Sequence, residues 1–396
     1  MFRLFSIAII FVLAAAAAFT APGLHAQSGD MLVYFGTYTG EKSTSKGIYV
    51  SRLEGASGVL TAPELVAETA NPSYLAVHPA GKWVYAANEV RSFGDKETGS
   101  VSAFAVDGAT GRLSALNQES SGGRGAVHLI VDKAGHNVLV ANYGGGSAAV
   151  LPIAPDGALK PATAFVQHTG SGFDKRRQSA PRAHSINLDP GNRFVYVPDL
   201  GLDKVMIYRF DGERGTMVAN DPPFAQMRPG DGPRHFAFHP EGRFAYVINE
   251  MGLTITAFAA DPQRGALSEV ETVSTLRFGE SAQEGFSTAD VQVHPSGRFL
   301  YGSNRGHDTI VAFEIDRKSG KLRYVEHEPT QGNGPRAFGI DPTGRYLLAA
   351  NQRSDSVVVF SIDAQTGRLT PTGHKITLGQ PACVKFMVPG SDPRTK

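Results

Sequence analysis

One phrase, repeated six times at a fixed internal length, constrains this chain more than anything else in it. It is a short apolar run, a turn of the form His/Asp-Pro-x-Gly-Arg, and an aromatic-rich run closed by Asn or Asp. The first copy runs from His78-Pro79-Ala80-Gly81-Lys82 through Trp83 and Tyr85 to Asn88. The others span Asp132 to Asn142, Asp189 to Asp199, His239 to Asn249, His294 to Asn304 and Asp341 to Asn351. In every copy the closing residue lies ten positions after the opening one, and the copies start roughly 50 residues apart, the period of a propeller blade. Apolar residues alternate on both sides of the turn, as in Leu75/Val77, Ile186/Leu188 and Phe338/Ile340. Alternation around a glycine turn predicts two antiparallel strands. A third strand is expected at 254–259, 309–315 and 356–362, and a ragged fourth after the turns that begin at Asp316 and Asp363.

Four strands per repeat make a β-propeller blade. The two ends of the chain supply a seventh copy. Pro381 to Phe386 has the phase of a first strand, and Leu32 to Thr37 that of a second, with Tyr34 matching Tyr85 and Thr37 matching Asn88. The expected fold is therefore all-β: one seven-bladed propeller domain over residues 27–396, with four antiparallel strands per blade. Pairing of the N- and C-terminal strands closes the ring, which leaves no open sheet edge between first and last blades.

Residues 1–26 read as a secretory signal peptide: Arg3, an apolar stretch from Leu4 to Phe19, a break at Pro22-Gly23, and a cleavage site after Ala26. The stretch is shorter than the roughly 20 residues a spanning helix needs. The mature protein is thus expected in the periplasm or secreted, as a soluble monomer without a membrane anchor. Lysine and arginine number 38 against 37 acidic residues, which excludes a nucleic-acid binder or a polybasic membrane-surface protein. A lone cysteine, Cys383, excludes an internal disulfide, a CxxC redox pair and a cysteine zinc site. No nucleophile elbow, Walker A loop or H-E-x-x-H motif occurs.

The repeat separates two classes of polar residue. His78, His239 and His294, with Arg193, Arg243, Arg298 and Arg345, recur in the turns, as a structural role predicts. The closing Asn and Asp residues recur too, and should satisfy loop backbone groups. In an up-and-down blade the start of the first strand and the end of the second share the opposite face, and there the copies differ. Five residues before the turn they read Ser73, Val127, His184, Arg234, Ala289 and Arg336. Four before, they read Tyr74, His128, Ser185, His235, Asp290 and Ala337. One after the closing residue stand Glu89, Tyr143, Leu200, Glu250, Arg305 and Gln352. Imidazole, carboxylate and guanidinium gathered at one channel mouth suit acid–base work on an anionic substrate. The competing reading makes them inter-blade salt bridges. Gly144-Gly145-Gly146 is a weak phosphate cradle, lacking a following helix. Lys175-Arg176-Arg177 is read as a solvated loop or a lid that contacts phosphate.

Three phrases carry a resemblance: Pro181-Arg182-Ala183-His184 running into Asp189, Gly232-Pro233-Arg234-His235-Phe236 running to Glu250, and Tyr301-Gly302-Ser303-Asn304-Arg305-Gly306. Together, over residues 31 to 388, they resemble the seven-bladed lactonase family that includes propeller-type 6-phosphogluconolactonase and fungal carboxymuconate cyclase. The resemblance implies a cofactor-free lactonase, with no metal, whose catalytic set is His184, Arg234, Arg305 and Glu250. His128, His235, Glu89, Tyr143 and Arg182 are expected to bind substrate. Water would attack a sugar lactone with Glu250 or His184 as base and the arginines holding the anion. Export favours an unphosphorylated aldonolactone. The alternatives are a propeller that binds without turnover and a muconate-type cycloisomerase.

Overall fold

The computed structural model describes residues 29–388, which form seven four-stranded antiparallel sheets. Six are continuous in sequence: blade 1 (72–120), blade 2 (126–167), blade 3 (187–226), blade 4 (233–274), blade 5 (287–329) and blade 6 (335–377). Blade 7 takes its inner strand, Pro381–Met387, from one end of the ring and Met31–Thr37, Gly47–Leu53 and Glu64–Glu68 from the other. Val33 faces Phe386 and Phe35 faces Val384, so the expected phase of the closing pair holds. The signal-peptide expectation for residues 1–26 lies outside the described residues.

Each second strand is buried on both faces because sheets flank it on both sides. Leu300 packs into the cluster shared with blade 4, while its neighbour Tyr301 packs into the cluster shared with blade 6. Five blades add a polar staple at the same position. Tyr34, Tyr85, Tyr196, Tyr246 and Tyr301 donate their hydroxyls to the carbonyls of Gly111, Gly157, Gly265, Gly320 and Gly367 in the next blade's outer turn, at 2.8–3.1 Å. Burial requires such a partner, and burial without ionisable use pushes these phenols far up. Gly320 shows why the turn demands glycine. Its φ is +74°, and a Cβ there would sit 2.4 Å from Phe244 of the preceding blade.

The His/Asp-Pro-x-Gly-Arg turns join blades as the repeat predicts. His78, His239 and His294 bond through Nε2 to Gly135, Gly297 and Gly344 of the following turn, at 2.8–3.0 Å. Where Asp opens the turn, its carboxylate caps that turn's own amides, as Asp189 does for Arg193 and Phe194. The closing residues bind loop backbone: Asn88 reaches the carbonyl of Ala70, and Asn351 that of Thr330.

At the other end the inner strands carry a β-bulge. The register skips one residue between Pro72 and Tyr74, Ala126 and His128, Pro233 and His235, and Pro335 and Ala337. A bulge puts two residues opposite one and re-aims their side chains. It brings the residues five and four before the turn to the channel together.

Candidate active site

Glu250 is the centre of the channel mouth. It follows the second strand of blade 4, Phe244–Asn249, and is buried. Its Oε2 lies 3.0 Å from both Arg234 Nε and Arg305 Nη2, and its Oε1 lies 2.6 Å from Arg177 Nη2. Arg234, from the inner strand of the same blade, is 1% exposed beneath the carboxylate. Arg305 also donates to the Thr288 carbonyl at 2.7 Å. Burial alone would raise the Glu250 carboxyl, but Arg305, Arg234 and Arg177 outweigh it and hold it at about 2. Burial and the charges of Arg305 and Arg336 push Arg234 down to about 9, so it stays protonated at neutral pH. One carboxylate against three guanidiniums leaves the cluster cationic.

His184 stands beside this cluster, with Nε2 4.0 Å from Glu250 Oε2. It lies just before the shortest inner strand, Asn187–Leu188, and its amide bonds to Pro198. Burial, then Arg234 and His235, hold its imidazole well below the usual range, so it is neutral at pH 7. Its Nδ1 and Arg305 Nε are buried without a partner among the described residues. An unpaired buried polar group costs about 1–3 kcal/mol, which a bound ligand would recover.

A second layer plugs the channel below. His235 Nδ1 bonds to Asp290 at 2.8 Å, and its ring lies 5.5 Å from His184 and 5.3 Å from His128. Burial and Arg234 lower His235 to about 4 despite Asp290. His128 accepts from the Ile186 amide and lies 4.0 Å from the Tyr74 ring, whose hydroxyl accepts from Lys385 at 3.1 Å. Below this layer a cavity of about 500 Å³ runs toward the turn face.

The mouth therefore unites His184, Arg234, Glu250 and Arg305, with His235 and His128 in the layer beneath. Arg182 lies at the rim, 5.6 Å over the Tyr143 ring, and donates to Gly144. Glu89 joins a separate part of the wall: it accepts from Tyr38 at 2.6 Å, and Tyr38 accepts from Arg336 at 2.6 Å. The salt-bridge reading of these residues also holds, since the cluster is itself joined across blades. Three members were given no place in the site from the sequence. Arg177 belongs to the loop whose alternative reading was a lid; it stays partly exposed but, unlike Lys175 and Arg176, reaches Glu250. Tyr38 is the seventh blade's residue after the closing position, one step past Thr37. Arg336 was visible as a break in the pattern but had no assigned partner. Among the described residues no three His, Cys, Asp or Glu side chains gather as a metal site.

A model of the lactonase family with the seven-bladed β-propeller matches residues 32–386. The chain is 35% identical over 311 residues to a 6-phosphogluconolactonase of Bacillus subtilis, covering 78% of this chain and 84% of that protein. A 6-phosphogluconolactonase of Formosa agariphila is 33% identical over 312 residues, with 78% and 86% covered. Among solved structures, a periplasmic gluconolactonase of Pseudomonas aeruginosa superposes with a TM-score of 0.84 at 34% identity, covering 91% of this chain and 99% of that one. By fold, by sequence and by the company of its relatives, the chain belongs to the seven-bladed β-propeller lactonases and is a lactonase.

Proposed function

We propose that the protein hydrolyses an aldonolactone at the Glu250 cluster, with His184 as general base. The observation that carries this is a neutral imidazole beside a carboxylate already held by three guanidiniums. Both oxygens of the Glu250 carboxylate are already engaged by guanidiniums, so Glu250 orients the arginines rather than activating water. Water adds to the lactone carbonyl while His184 takes its proton. The oxyanion forms against Arg305 and Arg177, a contribution of about 3–4 kcal/mol for a well-placed donor. The ring C–O bond then breaks, His184 returns the proton to the leaving oxygen, and the aldonic acid so formed loses its proton to solvent and departs as aldonate. Excess positive charge suits both the oxyanion and the anionic product.

The signal-peptide features at Arg3 to Ala26 support a periplasmic or secreted enzyme, in keeping with the similarity to a periplasmic gluconolactonase of Pseudomonas aeruginosa. An exported enzyme meets unphosphorylated lactones. Proton release by the purified mature protein against a panel of aldonolactones tests the reading. Turnover that His184→Gln abolishes supports it; absence of turnover, or product isomerisation without hydrolysis, refutes it.

A further inference from the structure

The wall of the mouth that carries Glu89 has a different chemistry from the wall that carries Glu250. Glu89 follows the second strand of blade 1, Tyr38 follows that of blade 7, and Arg336 opens the inner strand of blade 6. They form one chain of hydrogen bonds. Arg336 Nη2 donates to the Tyr38 hydroxyl at 2.6 Å, which donates to Glu89 Oε2 at 2.6 Å. The Arg336 guanidinium also lies 5.1 Å over the Tyr38 ring. The backbone under this chain is tied down. The Thr39 amide donates to Asn71 Oδ1 at 2.9 Å, the Asn71 amide donates to Thr39 Oγ1 at 2.9 Å, and the Glu89 amide donates to the Asn71 carbonyl at 3.0 Å. Asn71 holds a φ of +42° to do so. The set is therefore built and held rather than a chance surface contact.

It opens on the same mouth, because Arg336 holds in blade 6 the inner-strand position that Arg234 holds in blade 4, and Glu89 and Tyr38 hold the position after the second strand that Glu250 holds. Its charge balance is the point of difference. Glu89 and Arg336 offset one another, whereas Glu250 is outnumbered by its three arginines. Among the described residues, Glu89 Oε1 and the remaining N–H groups of Arg336 carry no protein hydrogen bond. One carboxylate acceptor beside one guanidinium donor matches two adjacent hydroxyls, one giving and one taking a hydrogen bond. A phosphate placed there would meet the Glu89 carboxylate, and like charges at contact repel.

We propose that Tyr38, Glu89 and Arg336 form the hydroxyl-reading half of the mouth and select an unphosphorylated polyhydroxy lactone over its phosphate ester. The inference rests on the Glu250 cluster being the hydrolytic centre, and supplies what that cluster does not: a choice of substrate. The experiment compares kcat and KM for glucono-1,5-lactone and 6-phosphoglucono-1,5-lactone in wild type, Glu89→Gln and Tyr38→Phe. Wild type should favour the unphosphorylated lactone in kcat/KM. Glu89→Gln should raise KM for that lactone about tenfold, more than it lowers kcat, and should shift preference toward the phosphate ester. Tyr38→Phe keeps the ring and loses the linking hydroxyl; it should change discrimination in the same direction with its melting temperature retained. An active wild type that prefers the phosphate ester overturns the inference, as does unchanged discrimination in both variants. A wild type that opens neither lactone refutes instead the reading of the Glu250 cluster, and the selection with it.

Discussion

The two ends of the ring use the same residue type in opposite ways. On the turn face each arginine reaches carbonyls of the next blade: Arg298 donates to Ala364 at 2.9 Å and Gln365 at 3.0 Å, and Arg345 donates to Gly55 at 2.7 Å. Each also lies over the aromatic ring that follows it in sequence. At the mouth, Arg177, Arg234 and Arg305 converge on the single carboxylate of Glu250. Repetition on one face spreads charge thinly among backbone acceptors and holds neighbouring blades. Its absence on the other face concentrates charge where one group is outnumbered. In a ring of near-identical sheets, the position at which the copies disagree is where chemistry can be placed.

Closure comes first among the ways to break that comparison, because both faces depend on it. Deleting residues 381–396 removes the inner strand of blade 7 and bares the edge of Met31–Thr37. Loss of folded, soluble protein is expected; an unchanged melting temperature would show that the ring does not need this strand. Next come the mouth residues. His184→Gln should lower kcat/KM by roughly 10²–10⁴-fold with little change in fold. Glu250→Gln should lower both activity and stability, the latter by about 3–5 kcal/mol, because the buried guanidiniums lose their shared acceptor. If Glu250→Gln reduces turnover while leaving the melt untouched, the carboxylate acts on substrate rather than on arginines.

Acid should weaken the mouth. The folded value of His235, about 4, lies below the ordinary 6.5, so folding favours its neutral form. As pH falls below 6.5 the unfolded chain takes up a proton that the folded protein refuses until near 4. The stabilisation is whole above 6.5 and drains away between 6.5 and 4, about 3 kcal/mol over that window. Urea titrations at pH 7.5 and 4.5 should show it, and His235→Gln should lessen it without abolishing it, because His184 and His128 are depressed in the same sense. The smallest effect belongs to the repeated face. Arg298→Ala should leave kcat/KM within about twofold and cost about 1 kcal/mol, since its partners are half-exposed carbonyls. Should Arg298→Ala lower kcat/KM as His184→Gln does, the division of labour between the faces fails.

The strands were legible because a fixed ten-residue spacing leaves one register. Tyr85 and Tyr301 had to be equivalent, and the structure gives their hydroxyls equivalent partners in the next blade. The gathering of His184, Arg234, Glu250 and Arg305 was legible for the same reason: register says which end of the channel a residue occupies. Pairing was not. Alignment of the repeats places Glu250 at the mouth but does not reveal that three guanidiniums meet it, the observation on which the proposed choice of an anchor over a base rests. Arg177 lay in a loop without register, where charge alone reads as solvent exposure. Tyr38 lay one residue beyond the stretch of blade 7 used to complete the count. The bulges that turn both His235 and Arg234 to the axis leave no mark in the alternation.

Blade 7 also sets an order of events. Tyr38 directly follows the first strand of the ring to be synthesised, yet that strand gains its inner partner only when Pro381–Met387 emerges, and Arg336 too is made late. The Tyr38–Glu89–Arg336 wall is thus completed late although its first residue is made early. Until Pro381–Met387 pairs with Met31–Thr37 the ring is an open arc, and Tyr38 and Arg336 have no shared frame. If that wall selects substrate as proposed, selectivity more than turnover is the property that reports a finished molecule.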